Sequence, residues 1–210
     1  MKELPLAPCC QTMGYRVVKR ALAIVCSASA LVLLSPLLCL IAVLVKRSSP
    51  GPCFYRWEVI GRRGRRFSGF KFRSMVVEAD ALKKELWRHN ERRGPTFKMK
   101  DDPRVTRVGG VLRKFSLDEL PQLWSVLKGD MSIVGPRPVA PSEWVQFTDW
   151  QRRKLTVTPG MICLGHVRGR PKEFAEWIHL DLEYIDTWSL WRDVRLVLLS
   201  PWCMASGRNY

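Results

Sequence analysis

Acidic residues are scarce in this chain: 19 Asp and Glu stand against 35 Lys and Arg, a net charge of 35 − 19 = +16 over 210 residues. Such an excess disfavours cationic partners and favours anionic ones: nucleic acid, anionic lipid or phosphorylated small molecules. Composition does not choose among the three. Histidine is scarcer still, and His89, His166 and His179 fall in no metal-ligand spacing. Seven cysteines stand at 9, 10, 26, 39, 53, 163 and 203, an odd count with no C-x-x-C pair. These absences argue against structural zinc and a disulfide framework, and for reduced thiols on the cytosolic side. Internal repeats and low-complexity tracts are also missing.

Charge is absent altogether from Ala21 to Val45, a run rich in Leu, Val, Ala and Ile. As a helix rising ~1.5 Å per residue it would reach roughly 38 Å, enough to cross a hydrocarbon core of ~30 Å. Two features oppose a simple crossing. Ser35-Pro36 lies past the midpoint, where proline removes a backbone donor and kinks a helix. Both flanks are basic, with Arg16, Lys19 and Arg20 before and Lys46 and Arg47 after, so the topology signals conflict. A helix that enters, bends at Ser35-Pro36 and returns satisfies both flanks; an ordinary transmembrane anchor with a tolerated proline fits the residues equally. The run is too long for the apolar core of a signal peptide.

Residues 1–15 read as a tail, residues 16–47 as the membrane element and residues 48–210 as a cytosolic domain. Phe54 to Val59 and Phe67 to Phe72 are aromatic and β-branched, and Gly61-Arg62-Arg63-Gly64 between them predicts a β-hairpin turn. Helices are predicted over Glu78 to Arg92, Gly110 to Lys114, Leu117 to Leu127 (closed by Gly129), Ser142 to Lys154 and Glu173 to Thr187. Lys98 to Arg107 reads as a polar loop, and Thr156 to Arg170 as extended or irregular. Leu190 to Cys203 mixes Trp191 and Trp202 with aliphatic residues, Arg192 and Arg195, a composition suited to a helix lying on a membrane or closing a core. The fold class is therefore α+β and mainly helical. It combines a re-entrant membrane helix, a small β-hairpin and amphipathic interfacial helices around a cytosolic catalytic core.

Against this basic background, Asp118 and Glu119 stand side by side. The plain reading is a helix start: Ser116-Leu117-Asp118-Glu119 fits a capping box, and acidic residues suit a first helical turn. Pro121 offers another, as the first helical residue with Asp118 and Glu119 in the turn before it. The chemical reading pairs a carboxylate that can attack phosphorus with a neighbour that can hold Mg²⁺. Phosphate charge then needs Lys or Arg. In Phe70-Lys71-Phe72-Arg73, alternation sends Lys71 and Arg73 to one face. Arg113 precedes the acidic pair, and Arg137 lies between Pro136 and Pro138, whose fixed φ angles would aim its guanidinium. The run Arg62, Arg63, Arg65, Arg66 reads instead as a lipid-headgroup or solvated patch.

In their order, these stretches resemble the bacterial sugar transferase family, the small monotopic phosphoglycosyl transferases that act on polyprenyl phosphate. The motifs are Lys19-Arg20, Ser35-Pro36, Ser49-Pro50-Gly51-Pro52, Phe70 to Met75, Asp101-Asp102-Pro103-Arg104, the Asp118-Glu119 block, Lys128 to Pro138, and Pro159-Gly160. The resemblance runs from about Tyr15 to the C-terminus and favours the re-entrant reading. It implies transfer of a phosphosugar from a nucleotide-sugar, usually a UDP-sugar, to polyprenyl phosphate with loss of UMP, starting a glycan. It implies Asp118 as nucleophile, Glu119 as the Mg²⁺ ligand, and Lys71, Arg73, Arg113 and Arg137 as phosphate-handling groups. Location in the bacterial inner membrane with the catalytic domain cytoplasmic follows, as does lipid contact; a homodimer is left open. So few residues precede Lys19 that the minimal family form is expected. Two departures stand out: Ala23 where the family often has an acid, and Gly165-His166 where it often has Trp-Gln. Two other functions compete. A membrane-tethered nucleic-acid binder would suit the charge, but RNP1, zinc-finger spacing and a recognition helix are all missing, so no nucleic acid is expected. An inactive scaffold of a glycan assembly complex would make the two departures signs of decay.

Overall fold

The computed structural model describes residues 13–91, 94–169, 171 and 173–205. Residues 1–12 of the tail, with Cys9 and Cys10, and the ends of the segments that reach Arg92 and Arg170, lie outside this range.

Helix α1 (Met13–Leu33) and helix α2 (Ser35–Ser48) form a pair bent by 62° at Leu34. The expected kink is thus a full break. Pro36 stands in the first turn of α2, where a missing N–H costs nothing. The Ser35 hydroxyl donates to the Val32 carbonyl at 2.8 Å, one of the groups freed at the end of α1. No single helix among the described residues is long and apolar enough to cross a membrane; the bent pair passes that test only together. Ala23 and Ser27 on α1, and Ile41 and Val45 on α2, are buried, while Val25, Val32, Leu33 and Leu40 are exposed.

The hairpin forms as expected. Strand β1 (Phe54–Ile60) pairs antiparallel with β2 (Arg66–Phe72), Phe54 opposite Phe72 and Ile60 opposite Arg66. Arg63 and Gly64 take positive φ (56° and 78°) to close the turn. Phe72 points into a cluster with Ile41 and Val45 of α2 and Leu112 of α4 (Arg107–Lys114), so β2 packs one face on the bent pair. Lys71, one residue earlier, faces the other way.

Several helices differ from their predicted spans, each for a local reason. The Glu78 to Arg92 segment is helical only over α3 (Ala79–Leu86) and then tightens to a 3₁₀ turn at Trp87–His89. Helix α4 starts before Gly110 because the Thr106 hydroxyl accepts from the Gly109 amide at 2.9 Å and caps it. The Leu117 to Leu127 span divides into a 3₁₀ turn (Leu117–Glu119) and α5 (Gln122–Lys128), which Gly129 closes at φ 94°. A second, unpredicted sheet follows: β3 (Ser132–Val134) pairs parallel with β4 (Gly160–Ile162). Each strand is three residues long, too short for a period to show. The Ser142 to Lys154 span breaks into α6 (Pro141–Trp144) and α7 (Asp149–Arg152), because Thr148 and Gln151 form a capping box that starts a new helix. Short α8 (Leu164–Val167) interrupts the segment read as irregular.

Helix α9 (Phe174–Asp186) runs through the main core, burying Ile178, Leu182 and Tyr184 against Ile60, Val139 and Leu155. Helix α10 (Leu190–Ala205) turns Leu196 inward and leaves Trp191, Leu198 and Trp202 exposed. It thus closes the core with one face and presents an apolar row with the other.

Adjacent glycines in α4 have opposite needs. A Cβ on Gly109 would lie 1.9 Å from the Ser74 carbonyl oxygen, whereas one on Gly110 would meet nothing within 4 Å. Gly109→Ala should destabilise the protein by about 2 kcal/mol or more, since backbone must move. Gly110→Ala should stabilise it by about 0.5–1 kcal/mol through helix propensity. Denaturant unfolding of the two variants checks both signs.

Candidate active site

One cleft of ≈ 650 Å³ opens between the hairpin, the Ser74–Val77 segment, α4 and the 3₁₀ turn after it. All six charged residues singled out from the sequence line it: Lys71, Arg73, Arg113, Asp118, Glu119 and Arg137.

The acidic pair sits in the Leu117–Glu119 turn, and the capping box does not form. Ser116 is left-handed (φ 53°) and its side chain caps nothing, while Pro121 flanks the start of α5. Asp118 and Glu119 thus lie in the turn before α5, as the Pro121 alternative has it, but Pro121 is the N-cap and Gln122 the first helical residue. Leu117 and Leu120 pack onto the Phe72, Leu112, Ile41 and Val45 cluster and pin the turn from below. That packing leaves Asp118 only 9% exposed. Burial, then the neighbouring Glu119 charge, push its carboxyl pKa up to about 6, against the opposing pull of Lys71 and Arg113. Glu119 is more exposed and accepts from the Lys71 Nζ at 2.6 Å. Lys71 also lies 5.1 Å from the centre of the Trp57 ring, which limits its freedom.

The arginines divide by what they already hold. Arg113 contributes to the field on Asp118, and its Nη1 is buried with no hydrogen-bond partner. An unmet donor beside a carboxylate pair suits an incoming anion. Arg73 lies one residue past the strand and turns to the main chain: Nη1 donates to the Pro50 carbonyl and Nη2 to the Ser49 carbonyl, both at 2.7 Å, while its buried Nε has no partner. Its role in the structure is to brace the turn that leads from α2 to β1. The expectation that alternation alone sets its direction missed these carbonyls. Arg137 donates from Nη1 and Nη2 to the two oxygens of Glu143, at 3.0 and 3.2 Å, while its backbone N–H donates to Asp181 Oδ1 at 3.0 Å. Burial opposes its charge, but Glu143 more than offsets this and raises its pKa. Asp181 is itself buried beside the Lys154 ammonium, 2.5 Å away. The two prolines therefore do not act alone: carboxylates hold both the backbone and the fork of Arg137.

Sequence reasoning on the individual residues missed part of the lining. Asp102 takes a bidentate grip on Arg104, from Nε at 2.8 Å and Nη2 at 2.6 Å, and Arg104 Nη1 donates to the Ala79 carbonyl at 3.0 Å. This pair ties the polar loop to α3 and forms one cleft wall. Burial would raise the Asp102 pKa, but its bonds to Arg104 lower it. The signal was the Asp-Asp-Pro-Arg motif, which composition alone marks only as polar. His166 and Trp177 also line the cleft, edge to face at 5.6 Å between ring centres.

A desolvated carboxylate beside a second one, set among cations in an open cleft, has the chemistry to meet a phosphorylated group. The comparisons agree on its family. The family described as bacterial sugar transferase matches residues 14–207, and the chain belongs to it. The galactosyl transferase CpsE of Streptococcus agalactiae is 44% identical over 156 residues, covering 73% of this chain and 35% of that protein. The undecaprenyl-phosphate galactose phosphotransferase of Salmonella typhimurium is 41% identical over 187 residues, 87% of this chain and 39% of its own length. The exopolysaccharide production protein ExoY of Rhizobium meliloti is 39% identical over 196 residues, covering 90% of this chain and 87% of that protein. The chain thus spans little more than a third of the first two and most of the third.

The raised Asp118 pKa has a signed consequence. Between the ordinary carboxylate pKa of 3.8 and about 6, the native protein keeps a proton that the unfolded chain has lost. Stability from this group is therefore greatest at low pH and falls as pH rises through about 6. Asp118→Asn cannot ionise, so without metal it should be more stable than wild type, by a margin that grows as pH rises past 3.8 and levels off above about 6 at no more than about 3 kcal/mol. Unfolding in urea with chelator across that range tests it; a constant difference would mean that ionisation of Asp118 is not what the substitution removes.

Proposed function

We propose that this protein transfers a phosphosugar from a nucleotide-activated sugar, a UDP-sugar by preference, to polyprenyl phosphate, and so begins assembly of a glycan such as an exopolysaccharide. The observation that carries this reading is the desolvated Asp118 next to Glu119 in a cleft ringed by Lys71, Arg113 and Arg137. Family membership supports it, and so do relatives named as undecaprenyl-phosphate galactose or UDP-glucose:undecaprenyl-phosphate glucose-1-phosphate transferases.

In the proposed reaction the ionised Asp118 attacks the phosphorus that bears the sugar. The O–P bond to Asp118 forms as the bond to the leaving UMP oxygen breaks. A phosphate oxygen of the polyprenyl phosphate then attacks the same phosphorus, and Asp118 leaves as a carboxylate. The product is a polyprenyl-diphospho-sugar, and the enzyme returns to its starting state. A pKa near 6 keeps Asp118 ionised at neutral pH while desolvation spares it a full hydration shell. The unmet Nη1 of Arg113 and the ammonium of Lys71 would take up charge on the transferring phosphoryl group. Arg73 braces the wall with two donors, and its unmet Nε remains for phosphate. Arg137 offers a guanidinium whose direction Glu143 and Asp181 already fix.

Mg²⁺ fits the donor set. Mg²⁺ is usually held by one or two carboxylates together with substrate phosphates rather than by a full protein cage. The like-charge pressure that raises the Asp118 pKa is what a divalent cation would relieve. Glu119 would hold it, with Asp118 beside it, and when bound it would neutralise charge on the diphosphate.

The bent α1–α2 pair is proposed to enter and leave the inner membrane from the cytoplasmic face, with its exposed apolar residues in lipid and the outer row of α10 at the interface. The 62° break, and Lys46 and Arg47 in the last turn of α2, support this.

Given a UDP-sugar and Mg²⁺ without acceptor, the wild type should release about one UMP per chain and carry a phosphosugar on Asp118 by mass spectrometry. Asp118→Asn should do neither, and Glu119→Gln should need far more Mg²⁺. An adduct on another residue would reject the assignment, and UMP release undiminished by chelator would reject the metal. A panel of UDP-sugars in the same assay identifies the donor.

Topology has its own test. Cysteines placed at Gly14 and Ser48, read against the native thiols, should both label from the cytoplasmic side only. Periplasmic labelling at position 14 would establish a spanning helix instead.

A further inference from the structure

A second cavity, of ≈ 300 Å³, lies between the first half of α1, the hairpin turn and α9, and shares no lining residue with the catalytic cleft. Four cations face it: Arg16, Lys19 and Arg20 from α1, and Arg62 from the hairpin turn. None of them is without a protein partner. Lys19 pairs with Asp193 at 2.7 Å and donates to the Tyr184 hydroxyl at 2.8 Å, while Arg20 donates to the Val126 and Leu127 carbonyls at 2.5 and 2.6 Å.

Arg16 and Arg62 set the character of the rest. They come from different elements, yet lie near enough to repel: burial first, then the charges of Arg16 and Arg63, lower the Arg62 pKa. Arg62 is held there by its Nε donating to the Thr156 carbonyl at 3.2 Å. It is thereby set apart from Arg63, Arg65 and Arg66, which are exposed. Holding two guanidiniums together costs free energy that a bound anion would recover. Ser132 and Thr158 also line the cavity, and hydroxyl groups can donate to phosphate oxygens.

Ala23 completes the argument. It lies on the cavity wall, one turn along α1 from Lys19 and Arg20, and is 4% exposed. An acid at this position would reach those cations and cancel part of the positive charge. With alanine the cavity keeps its excess and gains room.

We infer that this cavity is a binding site for a phosphate-bearing anion, held by Arg16 and Arg62 at the base of the bent helix pair and separate from the catalytic cleft. The phosphate can belong to a phospholipid headgroup or be free in solution. A phosphate there would bridge α1 to the hairpin turn, and so fasten the bent pair to the body of the protein beside the Lys19–Asp193 contact.

The test uses the full chain in neutral detergent micelles, with thermal unfolding as readout. The probes are inorganic phosphate, against chloride at equal ionic strength, and phosphatidylcholine vesicles with and without about one third phosphatidylglycerol, a mixture that supplies anionic headgroups. The variants are Arg62→Gln, Ala23→Asp and, as a charge-matched control, the exposed Arg65→Gln. Phosphate should raise the unfolding temperature of wild type and Arg65→Gln alike, while Arg62→Gln and Ala23→Asp should need about tenfold more of it. The same ranking with phosphatidylglycerol vesicles but no effect of free phosphate also supports the site and makes the headgroup its source. Loss of the effect in Arg65→Gln equal to that in Arg62→Gln would show only bulk charge. A wild-type response in both Arg62→Gln and Ala23→Asp would place the phosphate in the catalytic cleft. Either result, or no stabilisation by either probe, overturns the inference. Arg62→Gln alters a turn residue and keeps the test decisive even if Ala23→Asp does not fold.

Discussion

The architecture depends on keeping a carboxylate dry beside another carboxylate. Asp118 is buried because Leu117 and Leu120 on either side of the pair are drawn into the Ile41, Val45, Phe72 and Leu112 cluster. That cluster is built by three separate elements: the second half of the bent apolar pair, the end of the hairpin and α4. The site thus rests on the apolar pair itself. Moving α2 would shift the floor beneath the dyad and change its desolvation. The surrounding cations keep the arrangement tolerable: Lys71 is ion-paired to Glu119, and Arg113 supplies further positive charge.

The bent pair is joined to the body by polar contacts as well as apolar ones. Asp193 accepts from Lys19, the Tyr184 hydroxyl at 2.6 Å and the Trp188 indole at 3.1 Å, so one carboxylate links α1, α9 and α10. Arg20 covers the last carbonyls of α5, where a cation also meets the negative end of the helix dipole. These contacts lie at the base of α1, whereas its far end and the start of α2 expose Val32, Leu33 and Leu40. Charge is concentrated where the pair meets the catalytic body and absent where it projects. That distribution suits an element half in protein and half in lipid.

Much of the local structure was legible because it has a local cause. The hairpin follows from two aromatic and β-branched runs around Gly61 to Gly64. The break at Ser35-Pro36 follows from a missing donor. Helix α9 and the Gly129 stop follow from pattern and from the ease of positive φ at glycine. The parallel pairing of β3 and β4 was not legible. It depends on Gly135 and Gly160 approaching so closely that a Cβ on Gly160 would lie 2.0 Å from the Gly135 nitrogen, a relation between residues far apart in the chain. The Ser116 capping box was legible and wrong, because apolar packing of Leu117 and Leu120 set that turn against its local preference.

The same division holds for the site. The residue order alone determined that a basic chain with one uncharged apolar run carries an adjacent Asp-Glu pair, and which Lys and Arg could serve it, since these are properties of composition and spacing. Only the tertiary structure decided which charges remain available. Arg73 turns two donors to the Ser49 and Pro50 carbonyls, Arg137 is aimed by Glu143, Arg113 keeps an unmet donor, and Arg62 leaves its exposed neighbours for a cavity wall. A charged side chain takes its role from the partner it meets and from the water it loses. Both are fixed by contacts between distant segments, which no spacing along the chain contains.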